Sequence, residues 1–184
     1  MINVNLTTSP AELPVTLTEV KNYCKIDFTT DDDLLNLFIG AATQGVEKFT
    51  RRALITQTYK LVADYSDVYN NNFCIDLLNR PIQSVTTLKI YDLDNAISTI
   101  DAAKYFLDVV NARLVIDSGF TNVILRENAS FEVEYVAGYG LAASVPQTLK
   151  VAILMYVSKM YDERIICELP VSCENILKQW VVYG

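Results

Sequence analysis

Residues 131–164, FEVEYVAGYGLAASVPQTLKVAILMYVSKMYDER, constrain the fold more than any other stretch of the chain. They read as a strand, a glycine turn and a helix that is apolar nearly all the way round. On a helical wheel Leu149, Ile153, Tyr156 and Met160 form one face, and Val151, Leu154 and Met155 lie on the opposite side. A surface helix normally carries one apolar stripe, whereas a helix without a polar face is covered on several sides. The 184 residues suffice for one domain with a real core, or one domain plus an appendage. In a chain that short, part of the cover is expected from another subunit. The helix points to assembly rather than catalysis.

The rest of the chain reads in three blocks. A short helix starts at Leu17-Thr18-Glu19, with Thr18 as its cap, and runs to about Cys24. After a polar break at Asp27–Thr30, a long amphipathic helix spans about Asp31–Arg51. Leu34, Leu35, Phe38, Ala42, Val46 and Phe49 make its stripe, while Asn36, Thr43, Glu47 and Lys48 point away. The middle is β-rich. Tyr59, Leu61, Ala63 and Tyr65 alternate with polar residues, as do Phe73, Ile75 and Leu77, with Asn70-Asn71-Asn72 as a turn between them. Val85–Tyr91 reads as a strand, Tyr105–Val110 and Arg113–Ile116 as a hairpin around Asn111, and Val123–Leu125 as a short strand. Phe131–Ala137 is the strongest strand signal. Pro146 opens the apolar helix, and Pro170 separates it from a last short helix capped by Ser172. Helices, then strands, then helices predict an α+β fold. It is expected to be one domain: a small bundle of two N-terminal and two C-terminal helices (about 17–52 and 145–180) with an inserted antiparallel β-rich portion (about 55–137).

Composition removes several functions. The formal charge is −7, against the basic balance of a tight phosphate binder. There is no histidine, which takes away the commonest general base and metal ligand. Cys24, Cys74, Cys167 and Cys173 show no CxxC spacing, so they read as free thiols or, failing that, a disulfide rather than a zinc set. The start, MINVNLTTSP, lacks the basic and apolar regions of a signal peptide. The longest apolar run, Val151–Val157, is too short to span a bilayer.

Each chemical motif has a simpler explanation. Gly138-Tyr139-Gly140-Leu141-Ala142-Ala143 matches a loose dinucleotide fingerprint, but the helix begins too late and no second parallel strand follows. It reads as a tight turn. The consecutive carboxylates Asp31-Asp32-Asp33 fan out around a helix and suit its positive end better than a cation. Asp92-Leu93-Asp94-Asn95 lacks the glycine and glutamate of a calcium loop. No nucleophile has an adjacent base, so no catalytic, cofactor or metal residue is assigned. The remaining candidates are interface residues: Arg52, Val151, Leu154, Met155, Tyr161, Arg164 and the C-terminal Trp180, Val181, Val182 and Tyr183. Arg52 and Arg164 are also explained by helix C-termini. The apolar tail either docks on the chain's own core or packs on a neighbour or a partner's sheet edge.

These pieces, taken in order, resemble the head–tail connector (adaptor) proteins of long-tailed bacteriophages and prophages. The resemblance rests on VTLTEVKNYCKID (15–27), DDDLLNLFIGAATQGVEKFTRRALITQTY (31–59), RPIQSVTTLKIYD (80–92), VEYVAGYG (133–140), VPQTLKVAILMYVSKMYDER (145–164) and the tail VSCENILKQWVVYG. No single piece is specific, but their order is. Arg51 and Asn95 stand where turn glycines are common in the family. The resemblance implies a non-enzymatic virion protein, made in the bacterial host cytoplasm and ending at the head–tail junction. It implies a ring of identical subunits, twelvefold, under the portal protein, meeting a stopper or tail-completion protein on the other side. DNA would pass through the lumen without sequence-specific binding, and no membrane would be involved. The alternatives are another head-completion, stopper or tail-completion protein, or an enzyme of unrecognised type.

Overall fold

The computed structural model describes residues 2–117 and 119–182. In chain order the elements are β1 (Asn3–Thr8), α1 (Leu17–Cys24), α2 (Asp32–Thr50), β2 (Gln57–Ala63), α3 (Tyr65–Asn70), β3 (Cys74–Asp76), β4 (Ile82–Tyr91), β5 (Ile97–Thr99), β6 (Tyr105–Asp108), β7 (Arg113–Ile116), β8 (Phe131–Ala137), α4 (Gln147–Glu163) and α5 (Val171–Leu177). All strand pairs are antiparallel, and the fold is α+β as expected. The chain divides into two units: Met1–Ser9 with Gln57–Gly138, and Pro10–Thr56 with Tyr139–Gly184.

The first unit holds a five-stranded sheet ordered β1-β2-β8-β4-β5 and a three-stranded sheet ordered β3-β7-β6. Strand β8 is central because its alternation is strict. Phe131, Val133, Tyr135 and Ala137 are all buried, and each large apolar side chain among them contributes roughly 1.5–3 kcal/mol on burial. Tyr135 faces Tyr59 across the ladder, with the rings stacked at 5.7 Å. On the other face Glu132 meets Lys60 (3.3 Å), Lys89 (3.4 Å) and the Tyr91 hydroxyl (3.0 Å). Burial alone would raise the Glu132 carboxyl, but these partners outweigh it and hold it below the usual range. The β6–β7 hairpin forms as read, its turn fixed by the Asn111 amide donating to Asp108 Oδ1 at 3.0 Å. The Asp92 turn also forms as read: its Oδ1 accepts from the amides of Asp94 and Ala96.

The unit departs from the expectations in four places, one of them the exposed strand β5, which the sequence reading did not assign. Strand β1 pairs with β2 although its sequence, NVNLTT, has no apolar alternation. Tyr65 starts α3 instead of ending β2, and Asn70 is the last residue of that helix, while Asn71-Asn72 form the expected turn before β3. Only Val68 of α3 is buried, so no periodicity announced it. Val123–Leu125 is not a strand; Leu125 makes a single bridge to Asp92.

The second unit is helical, with one core contributed by α1, α2, α4 and α5. Helix α1 begins with a capping box: Glu19 N–H donates to Thr16 Oγ1 (3.2 Å), and Thr16 N–H donates to Glu19 Oε2 (2.6 Å). The cap is therefore Thr16, not Thr18, because only Thr16 stands three residues before a glutamate. In α2 the residues Leu35, Phe38, Ile39, Ala42 and Val46 are buried. So is Thr43, which was expected to point away; its hydroxyl donates to the Ile39 carbonyl at 2.8 Å and so needs no water. Arg51 ends α2 with φ 54°, the left-handed conformation that glycine adopts most readily. Asn95 takes it too, with φ 64°. Pro146 caps α4, which starts at Gln147, one residue later than expected. Ser172 lies inside α5, and Pro170 occupies its cap. Beyond α5, Lys178–Trp180 make one 3-10 turn.

Candidate subunit interface

Helix α4 buries Leu149, Ala152, Ile153, Tyr156, Val157 and Met160 against α1, α2 and α5 of its own unit. At one point α2 comes so close that a Cβ on Gly45 would stand 2.8 Å from Tyr156 Cε1. The Tyr156 hydroxyl donates to the Cys167 carbonyl at 2.6 Å, which folds the segment after α4 back along the bundle. The second apolar face is partly covered. Leu154 and Met155 are half-buried against the core, while Val151 is 42% exposed.

A polar cluster locks the end of α4 to the start of α2. The Tyr161 hydroxyl donates to Asp31 Oδ2 at 2.7 Å, and Arg164 Nη1 lies 3.0 Å from the same oxygen. The Arg164 guanidinium also sits over the Tyr161 ring, 4.4 Å from its centroid. The Tyr161 hydroxyl, then Arg164, holds the Asp31 carboxyl below its usual range, and the same bond raises Tyr161. Asp32 instead pairs with Lys21 at 2.7 Å. Asp31 and Asp32 thus turn to different partners.

The C-terminal candidates gather round Arg52. Its Nε donates to the Trp180 carbonyl at 2.7 Å and its Nη1 to the Tyr139 hydroxyl at 3.1 Å. The guanidinium carbon lies 5.7 Å from the Trp180 ring centroid, and Trp180 meets Tyr139 edge-on. The Val182 amide donates to the Thr50 carbonyl at 3.1 Å. Among the described residues, then, the tail docks on its own unit. Tyr183, also a candidate, lies outside the described residues. Beside the tail opens a groove of about 620 Å³, lined by Phe49, Tyr156, Leu169, Val181 and Val182, with exposed Lys48 and Arg51 at its margin.

The structure thus sorts the candidates into three places: Val151, Leu154 and Met155 on α4; Tyr161 and Arg164 at its end; Arg52, Trp180, Val181 and Val182 at the tail. Asp31 and Tyr139 are members that sequence reading missed. Asp31 is 130 residues from Tyr161, and no local pattern links them. Tyr139 was hidden in the glycine turn, whose Gly138 and Gly140 do take φ of 127° and 118°. The four cysteines are free thiols; burial pushes those of Cys24 and Cys173 upward and away from reactivity. No described helix is long and apolar enough to cross a membrane.

Among proteins of curated function the sequence has no match. The fold is similar to chains of solved gene transfer agent (GTA) particles. One comes from the neck of an empty GTA particle computed with C6 symmetry (17% identity, TM-score 0.74, covering 99% of this chain and 96% of the other). A second comes from the virion of the native particle (18%, 0.77, 98% and 96%). A third comes from the neck of the native particle computed with C12 symmetry (19%, 0.72, 99% and 96%). At these identities the likeness is one of fold. The family model described as head completion protein matches residues 14–168, most of the sequence, and the chain belongs to that family.

Proposed function

We propose that this chain is a structural subunit of a head–tail connector, carried in the virion and not catalytic. The family match over residues 14–168 is the observation that carries this reading. The likeness to neck chains computed with C12 and C6 symmetry supports a ring, twelvefold in the virion. The ring sits under the portal protein, extends its channel, and receives a stopper or tail-completion protein below. An acidic chain suits a channel wall, since it repels the phosphates that must slide past it.

A closed ring of identical subunits needs two different, complementary surfaces on each copy. The half-covered α4 face at Val151, Leu154 and Met155, the α4 end at Tyr161 and Arg164, and the tail groove supply candidates for these surfaces. The C-terminal segment, Val181 onward, is the element we assign to the contact with the portal or with a neighbouring subunit. Truncation after Trp180 keeps the Arg52–Trp180 bond and removes only residues 181–184. Capture by portal rings in a pull-down is expected to weaken while the melting temperature stays close to that of the intact chain. Undiminished capture would remove the tail from the portal contact, and co-purification with a tail tube instead of a portal would make the chain a tail-completion protein.

A further inference from the structure

Two features of the helical unit complement each other in shape and charge. The first is an apolar knob. Arg164 ends α4 in the left-handed conformation, φ 56°, and is held there by Asp31 and the Tyr161 ring. The next two residues, Ile165 and Ile166, are 56% and 62% exposed. Three side chains fix a turn whose outcome is two adjacent isoleucines facing water. Asp162 and Glu163, both exposed, stand directly before it, Glu163 already in a surface ion pair with Lys159 at 2.9 Å.

The second is the groove beside the tail. Its lining is mainly apolar, and its margin carries Lys48 and Arg51, with Glu168 as the one acidic lining residue among those described. Neither cation has an ion-pair partner among the described residues. The chain's own Ile165 and Ile166 do not fill this groove, because both are exposed.

We propose that the groove receives Ile165 and Ile166 of a second copy, with that copy's Asp162 and Glu163 against Lys48 and Arg51. Apolar knob meets apolar groove, and carboxylates meet cations. Each copy has one knob and one groove; engaged in one direction the contact is head-to-tail and propagates until it closes, as a ring requires, whereas reciprocal exchange would stop at a dimer and overturn the proposal. The inference rests on the connector reading and names the partner as another copy of this chain.

Carbodiimide coupling of carboxylates to amines in the full chain at high concentration tests it. The wild type is expected to give dimers and larger species whose cross-linked peptides join Lys48 to Asp162 or Glu163. Ile165→Ser with Ile166→Ser, and separately Lys48→Glu with Arg51→Glu, should each lower the fraction of multimers by about tenfold or more, read by sedimentation without cross-linker because Lys48→Glu also removes the coupling amine. All four positions are exposed, so the fold should survive, which circular dichroism checks. An equal mixture of the two variants should recover dimers but nothing larger, since each mixed pair keeps one intact contact and cannot extend. A monomeric wild type, multimers indifferent to both variants, or cross-links that map elsewhere would overturn the proposal. Portal capture measured on the same samples separates the two readings: capture that persists leaves the connector reading standing when this surface fails.

Discussion

Replacing Arg52 by alanine should release the C-terminal tail, and the loss can be sized from its contacts. The guanidinium makes one hydrogen bond to the Trp180 carbonyl (2.7 Å) and one to the Tyr139 hydroxyl (3.1 Å). It also lies 5.7 Å from the centre of the indole ring. Hydrogen bonds from a charged donor contribute about 1.5–3 kcal/mol each, and a partly exposed cation–π contact about 0.5–1 kcal/mol. Arg52 is only half-buried, so water replaces part of what is lost. The net cost is about 2–3 kcal/mol, enough to turn a docked tail into a largely undocked one. Arg52→Lys keeps the charge but loses the fork, and should cost about half as much. Trp180 is the only tryptophan, so its fluorescence reports on this site alone. Arg52→Ala should shift the emission to the red and raise quenching by acrylamide to that of a solvated indole. An unchanged spectrum, with urea stability lowered by less than about 0.5 kcal/mol, would refute the claim that Arg52 clamps the tail.

The same geometry sets other outcomes. Gly45→Ala places a Cβ 2.8 Å from a Tyr156 ring that is itself tied to Cys167; overpacking outweighs the better helix propensity, for a net loss of about 1–2 kcal/mol in urea unfolding. Thr16→Ala should cost about 1 kcal/mol while Thr18→Ala costs little, because only Thr16 closes the capping box. The folded chain holds the Asp31 carboxyl below its usual range. Its contribution to stability is therefore complete above about pH 4 and is lost as pH falls through the lower folded value. Asp31→Asn should flatten the acid limb of a melting-temperature series, and an unaltered limb would show that Asp31 does not shape it.

What could be read from the sequence depended on where each signal was written. Strand β8 was legible residue by residue because a central strand with one buried face must alternate. The apolar helix α4 was legible because three helices of its own unit pack against it. Strand β1 was not, since an edge strand with mostly exposed side chains has no pattern to keep. Helix α3 has a single buried residue and a Tyr–Asn composition that suits strand and turn equally. The Thr16 cap was misplaced by two residues, although the Thr-x-x-Glu spacing was present to be read. The contacts that join the interface candidates into clusters were not legible. Arg52 meets Trp180 across 128 positions, and Asp31 meets Tyr161 across 130. Such pairings are products of helix packing, and nothing local encodes them. The groove is the extreme case. Phe49 reads as core on the helical wheel and Arg51 as a helix terminus, and only the returning loop and tail make them walls of one groove.

The mass of the complex with portal protein, by native mass spectrometry, tests the central claim most directly. One species is expected, in which the portal ring has gained a closed ring of this chain. With twelve copies of 20.7 kDa the gain would be about 250 kDa. A portal ring of unchanged mass, with the chain remaining free at saturating concentration, would contradict the connector role.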